Sequence, residues 1–177
     1  MEKFLETERT YLRFITFEDA ERIRDLCNNE HIYKTLIGMP NPYTIEHANT
    51  FIEKVHKRVT EKDDIVLGII LKETNEFIGV MDLMRNLRHN NGEFGYWLGF
   101  DYWGKGIMTE VVKAFTEYCL KELKLHRLVI KAFTFNPASA KVAIKNGYEY
   151  EGCSKGDVLK DGKYYDTETY ALINKDN

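Results

Sequence analysis

Apolar residues recur along this chain with two periods, and the switches between them delimit the elements. Tyr11 to Ile15 suits a first strand. Thr16-Phe17-Glu18-Asp19 has the form of a capping box, and the helix it opens carries Ala20, Ile23 and Cys27 inward. Pro40 and Pro42 mark an irregular stretch. Thr44 then serves as N-cap to a second helix, in which Ala48, Phe51, Ile52, Val55 and Val59 recur at helical spacing. Its other face carries Glu53, Lys54, Lys57 and Arg58, most simply a solvated surface. Ile65 to Lys72 and Phe77 to Leu83 read as strands of a hairpin turned at Glu73-Thr74-Asn75-Glu76.

Arg85 to Gly92 is polar and expected to be a loop, and Glu93 to Phe100 forms the next strand. From Ile107 the period turns helical, with Met108, Val111, Val112, Phe115 and Cys119 on one face, and runs to about Leu123. Arg127 to Thr134 alternates as a strand. Ala138 to Asn146 is a short helix ended by Gly147. Tyr148 to Lys155 and Tyr164 to Ile173 are two last strands, turned at Asp161-Gly162. The order predicts an α+β domain around one mixed, mostly antiparallel sheet of about seven strands, flanked by about four helices. No linker, repeat or low-complexity segment divides residues 1–177, which are expected to form a single domain.

Composition narrows the function classes. The 177 residues suffice for one domain with a real core, and a net charge of −3 argues against a general nucleic-acid binder. No apolar run approaches the roughly 20 residues that span a bilayer, and Met1 to Glu6 meets charge too early for a signal peptide. Cys27, Cys119 and Cys153 are odd in number and widely spaced, so they read as thiols of a reducing compartment, and a cytoplasmic location is expected. The scattered histidines, His47 and His56 among them, show no metal-ligand spacing, and no metal is expected.

One stretch concentrates the candidate chemistry. Tyr96 to Phe100 is an aromatic, apolar strand, and Gly104-Lys105-Gly106 follows as a loop before the helix at Ile107. Glycines let backbone N–H groups converge on one point, and the helix start adds unpaired donors and the positive end of a dipole. Gly99-x-x-x-x-Gly104-Lys105 approaches a nucleotide-triphosphatase loop, but Gly106 stands where a metal-holding Ser or Thr belongs. Gly104-x-Gly106-x-x-Thr109 lacks the third glycine of a dinucleotide fingerprint. A plain strand-to-helix turn needs the same two glycines.

The stretch resembles motif A of the GNAT acyltransferases, Gln/Arg-x-x-Gly-x-Gly/Ala, which falls here on Trp103-x-x-Gly106-x-Met108. Gly106 matches; Trp103 and Met108 depart. The wider run Gly95-Tyr96-Trp97-Leu98 followed by Gly104-Lys105-Gly106-Ile107-Met108-Thr109 is similar to the RimJ/RimL type, the ribosomal-protein N-terminal acetyltransferases. Thr7-Glu8-Arg9, Asn136-Pro137-Ala138-Ser139, Asn146-Gly147-Tyr148, Glu151-Gly152-Cys153 and Asp161-Gly162-Lys163 agree with that type in the expected order. The resemblance implies the GNAT fold and acetyl-CoA as cosubstrate. It assigns the pyrophosphate to the backbone of Gly104, Lys105, Gly106, Ile107, Met108 and Thr109, and the pantetheine arm to Trp97, Leu98 and Asn136. The Trp97–Leu98 backbone would also aim an N–H at the thioester oxygen, a one-donor oxyanion site. Met39 to Tyr43 and the second helix would line the acceptor side.

The remaining roles have competing readings. Asn136 precedes Pro137 and is equally suited to capping a helix. Gly99 marks either a bulge that splays two strands or simple close packing. Glu93 is either a general base or a strand-edge carboxylate in water. Many relatives protonate the leaving thiolate with a tyrosine seven residues after the asparagine, which here is Ala143; Ser139 matches the RimL-type serine instead, or else bonds the helix start locally. Val158 stands where some members of the type carry an acid, with Asp157 beside it, and no role is carried over there.

Acceptor chemistry favours an α-amine. At pH 7 a chain terminus with pKa about 7.7–8.0 is roughly a tenth neutral, while a lysine at about 10.4 is neutral about once in 2,500. The expectation is direct acetyl transfer to a primary amine, a protein N-terminus foremost. A polyamine or aminoglycoside is the alternative acceptor, and a non-catalytic coenzyme-A-binding module the alternative class. Neither nucleic acid nor membrane is an expected partner, and a homodimer is left open.

Overall fold

The computed structural model describes residues 2–175. Among the described residues, eight strands form one sheet in the order β1-β2-β3-β4-β5-β6-β8-β7. They are β1 (Leu5–Glu6), β2 (Thr10–Phe14), β3 (Ile65–Leu71), β4 (Glu76–Asn86), β5 (Asn91–Leu98), β6 (Arg127–Phe133), β7 (Glu149–Lys160) and β8 (Lys163–Ile173). The helices are α1 (Ala20–Cys27), α2 (Glu30–Thr35), α3 (Ile45–Lys62), α4 (Ile107–Lys121) and α5 (Pro137–Lys145). The α+β architecture is as the sequence predicts, with one more strand and one more helix. Both additions are short: β1 has two residues, and α2 has six and is capped by the Asn29 side chain. Neither is long enough to show a period.

Two cores sandwich the sheet. Under α4 and α5, Val111, Val112, Phe115 and Cys119 pack on Phe94, Leu98, Leu128 and Ile130. On the opposite face Ala20, Ile23, Cys27, Ala48, Ile52 and Val55 of α1 and α3 pack on Val66, Ile70 and Val80. The alternation along β5 therefore sends Phe94 and Leu98 to one core, while Trp97 packs against the other. Thr44 caps α3, its hydroxyl accepting from His47 N–H at 3.4 Å, and Asn136 caps α5.

The sheet opens once. β5 and β6 run parallel and pair only from Asn91–Arg127 to Phe94–Ile130. Beyond Phe94, residues 95–98 continue against β4 alone, and residues 131–133 continue against β8 alone. The result is a notch between two diverging strands. It begins at Gly95, before Gly99 is reached. The Gly99 bulge does not form: the β4–β5 register is unbroken, Gly99 N–H donates to Ile78 at 2.8 Å, and a Cβ there would lie 2.7 Å from Leu26. Close packing is the reading that holds.

Candidate active site

The glycine loop forms because two residues need positive φ. Gly104 (φ +71°) and Gly106 (φ +75°) both sit in the left-handed region, and Gly106 is the N-cap of α4. The first helical bond of α4 runs from Glu110 N–H to Gly106 at 3.1 Å. The N–H groups of Ile107, Met108 and Thr109 precede it, so they lie at the electropositive helix start without an intrahelical acceptor. Trp103 fixes the loop to the strand, its indole N–H donating to Leu98 O at 2.8 Å.

A cavity of about 260 Å³ lies along the notch. Its walls include Trp97 and Leu98 of β5, Gly104 and Gly106 of the loop, Ile107, Met108 and Thr109 of α4, and Asn136 and Ser139 of α5. The residues that the sequence assigned to coenzyme A are thus brought together, except Lys105, whose ammonium instead stands 5.8 Å from the Tyr102 ring centre. Lys141 and Lys145 also line this cavity and were passed over, because an i, i+4 lysine pair on a short helix reads as solvated surface. Asn136 does both things its position allows: its side-chain oxygen accepts from Ser139 N–H at 3.4 Å, and it walls the cavity.

A second cavity, of about 390 Å³, lies on the α1–α3 side. Met39, Pro40 and Tyr43 line it, with His47, Thr50, Phe51 and Lys54 of α3. Leu36, Tyr96 and Trp97 are walls of both cavities, so the two meet across the notch.

Tyr96 was not singled out as a reacting group. Its hydroxyl stands 3.0 Å from Ser139 Oγ and 3.3 Å from the Ser139 carbonyl, to which it can donate. Burial pushes the Tyr96 phenol up to about 12, with the Ser139 hydrogen bond pulling the other way. At neutral pH it is therefore a protonated donor.

Glu93 is not at either cavity. It sits opposite Val129 where β5 and β6 are still paired, before the notch opens. Its carboxylate lies 3.5 Å from the Lys131 ammonium, with 37% of the side chain exposed. The carboxylate that does reach the second cavity is Asp82 of β4, opposite Gly95. Both its oxygens take Arg58 guanidinium hydrogens at 2.7 Å, and Arg58 also holds Asp64 at 2.9 Å. Burial is the largest influence on Asp82 and raises its pKa; Arg58 offsets this only in part, and Asp64 adds to it. Sequence reasoning missed Asp82 because its place depends on the β4–β5 register. Cys27, also in this cavity, is a thiol that burial pushes to about 12, hence inert.

Comparison with known proteins places this geometry in a family. The model of the acetyltransferase (GNAT) domain matches residues 9–149. The ribosomal-protein-serine acetyltransferase of Escherichia coli (strain K12) is 36% identical over 149 residues, covering 84% of this chain and 83% of that protein. An N-acetyltransferase of Bacillus subtilis (strain 168), YoaA, is 32% identical over 170 residues, covering 96% of each. The structure of RimL, the ribosomal L7/L12 α-N-protein acetyltransferase in complex with coenzyme A, superposes with a TM-score of 0.89 at 24% identity, over 99% of this chain and 100% of that one. Among the described residues no helix is long and apolar enough to cross a membrane. By fold, family match and relatives, this chain belongs to the GNAT acetyltransferases and is an N-acetyltransferase that uses acetyl-CoA.

Proposed function

We propose that the acceptor is the α-amine at the N-terminus of a protein, in keeping with the name of RimL, an α-N-protein acetyltransferase, and with that of the E. coli relative, a ribosomal-protein-serine acetyltransferase. The observation that carries this is the charge inventory of the acceptor cavity. Among the described residues lining it, Asp82 is the only carboxylate, and Arg58 already holds both its oxygens. Lys54 and His47 line the same walls. A polyamine or aminoglycoside brings several positive charges and needs several carboxylates to receive them. A peptide terminus brings one amine, partly neutral at pH 7, on an extended chain that the apolar walls Ile37, Met39 and Phe51 can hold.

The residues at the notch fit acetyl-CoA: two left-handed glycines, a helix start with free N–H donors, and a cavity leading from them to Tyr96. When bound there, it supplies an acetyl group activated as a thioester. The N–H groups of Ile107 to Thr109 would hold pyrophosphate, with Lys141 and Lys145 on the same cavity wall adding positive charge. The Trp97–Leu98 backbone borders the notch, where an N–H can hold developing negative charge on oxygen. We assign removal of the amine proton to Asp82, directly or through one water, in preference to Glu93. Tyr96, backed by the Ser139 hydroxyl, donates toward the departing sulfur.

The test is an acceptor screen following free-thiol release with N-terminal peptides, the same peptides blocked at the α-amine, spermidine and an aminoglycoside. Free peptides should turn over and blocked ones should not. Faster turnover of spermidine or the aminoglycoside than of any peptide would overturn the assignment.

A further inference from the structure

The general motif-A pattern opens with Gln or Arg, and here that position is Trp103, whose indole is spent on Leu98 O. A guanidinium nevertheless reaches the glycine loop, from 96 residues away in the chain. Arg9, just before β2, donates from Nη1 to Lys105 O at 2.8 Å. Its Nη2 lies 3.7 Å from where a Cβ on Gly106 would be. Its Nε and its own backbone N–H both bind the Glu110 carboxylate, at 2.7 and 2.8 Å.

Glu110 is what makes this arrangement consequential. It sits in the first turn of α4, the turn whose N–H groups face the pyrophosphate position. A carboxylate there suits the helix dipole in isolation, but it would repel a polyanion bound at the same helix start. Burial works against its charge, yet hydrogen bonds from Thr7 and from the backbone and side chain of Arg9 outweigh that, and its pKa is lowered. It is therefore ionised at neutral pH, and its oxygens are turned to Arg9.

We propose that Arg9 is the positioning residue of the pyrophosphate loop. It ties Lys105 O, and with it the left-handed turn between Gly104 and Gly106, and it neutralises Glu110 so that the start of α4 remains anion-selective. Arg9 does not line the cavity, so it acts through the loop. This rests on the glycine loop being the pyrophosphate site.

Calorimetry of coenzyme A binding to the full chain tests it, with Arg9→Ala, Arg9→Lys, Glu110→Gln, the double variant Arg9→Ala/Glu110→Gln, and Gly106→Val. Arg9→Ala should weaken coenzyme A by about tenfold or more, the range expected for lost hydrogen bonds to a charged group. S-acetylpantetheine, which lacks the phosphates, should keep its kcat/KM in the same variant. The double variant should bind more tightly than Arg9→Ala, because the unmasked carboxylate is gone. Should Arg9→Ala not fold, Arg9→Lys keeps the charge, loses the fork, and should show the smaller loss of the same kind. Wild-type coenzyme A affinity in both Arg9 variants, an equal loss toward acetylpantetheine, or no recovery in the double variant would overturn the proposal. Wild-type affinity in Gly106→Val would instead remove the loop assignment beneath it.

Discussion

The Tyr96 hydroxyl of β5 and the Ser139 hydroxyl of α5 stand 3.0 Å apart, joining a strand that borders both cavities to a helix start. Under the proposed mechanism this pair, lining the first cavity, is what would donate toward the departing thiolate. A thiol of pKa near 8.5 already leaves well as its anion, so the pair is expected to contribute modestly. Tyr96→Phe should lower kcat at or below the low end of the roughly 10²–10⁴ range for acid–base groups, with KM for acetyl-CoA nearly unchanged. Ser139→Ala should lose less, because the phenol remains. Steady-state kinetics on both variants check this. A larger kcat loss for Ser139→Ala than for Tyr96→Phe would reverse the order of the two roles.

The loop glycines separate backbone strain from ligand contact. A side chain in the left-handed region costs about 1–2 kcal/mol, so Gly106→Ala should destabilise the free protein as well as weaken coenzyme A. Gly104→Ala has the same strain, with no atom within 4 Å of the new Cβ. Comparing melting curves with coenzyme A affinities should therefore show similar stability losses, but a larger affinity loss at Gly106. Equal affinity losses would mean that strain alone sets the effect.

How much of this could be read from the sequence depends on how local each relationship is. The α4 stripe was legible because Met108, Val111, Val112, Phe115 and Cys119 meet one core through a period carried within 12 residues, and all five are buried. The loop was legible because two glycines in three residues announce unusual φ. Tyr96 was not, since its partner is 43 residues away on an element whose docking no local pattern encodes. The phase of β5 held a partial signal: Glu93 and Trp97 alternate with Phe94 and Tyr96, so Glu93 stands on the face opposite Tyr96. Asp82 needed the register that sets it opposite Gly95. Arg58 read as surface, because its two carboxylate partners come from the link between α3 and β3 and from β4.

With Asp82 as the proposed base, the reaction should depend on pH. Its pKa is raised above the ordinary 3.8, chiefly by burial. The ionised form is the proton acceptor, so kcat/KM for the amine should rise with pH through that raised pKa, with a further rise as the amine itself deprotonates. Asp82→Asn should lose the lower limb and reduce the rate, while Glu93→Gln, at a site already paired with Lys131, should leave kcat close to wild type. Profiles of kcat/KM against pH for the two variants decide it. A lower limb that survives in Asp82→Asn and vanishes in Glu93→Gln would return the base to Glu93.

The segment that lines the second cavity, the proposed acceptor side, is held from the far end of the sheet. Lys160, at the β7–β8 turn and only 8% exposed, donates from Nζ to Leu36 O at 2.9 Å, and its ammonium lies 3.9 Å from the centre of the Tyr33 ring. Asp161 beside it accepts the Tyr33 hydroxyl at 2.6 Å. Leu36 is a wall of both cavities, but Ile37, Gly38, Met39 and Pro40 line only the acceptor side. Loosening the contact should therefore weigh on the acceptor. Lys160→Met keeps most of the apolar stem and removes the charge that holds the carbonyl and the ring. It should cost about 1.5–3 kcal/mol of stability, as for other hydrogen bonds to charged groups, and raise KM for the peptide acceptor several-fold more than KM for acetyl-CoA. Tyr33→Phe, which loses only the Asp161 bond and keeps the ring under the ammonium, should do the same to a smaller degree. Thermal unfolding and two-substrate kinetics on the same preparations check both. Equal rises in the two KM values would show that Leu36 transmits the change to the notch itself, and unchanged KM values with lost stability would reduce the contact to a structural tie.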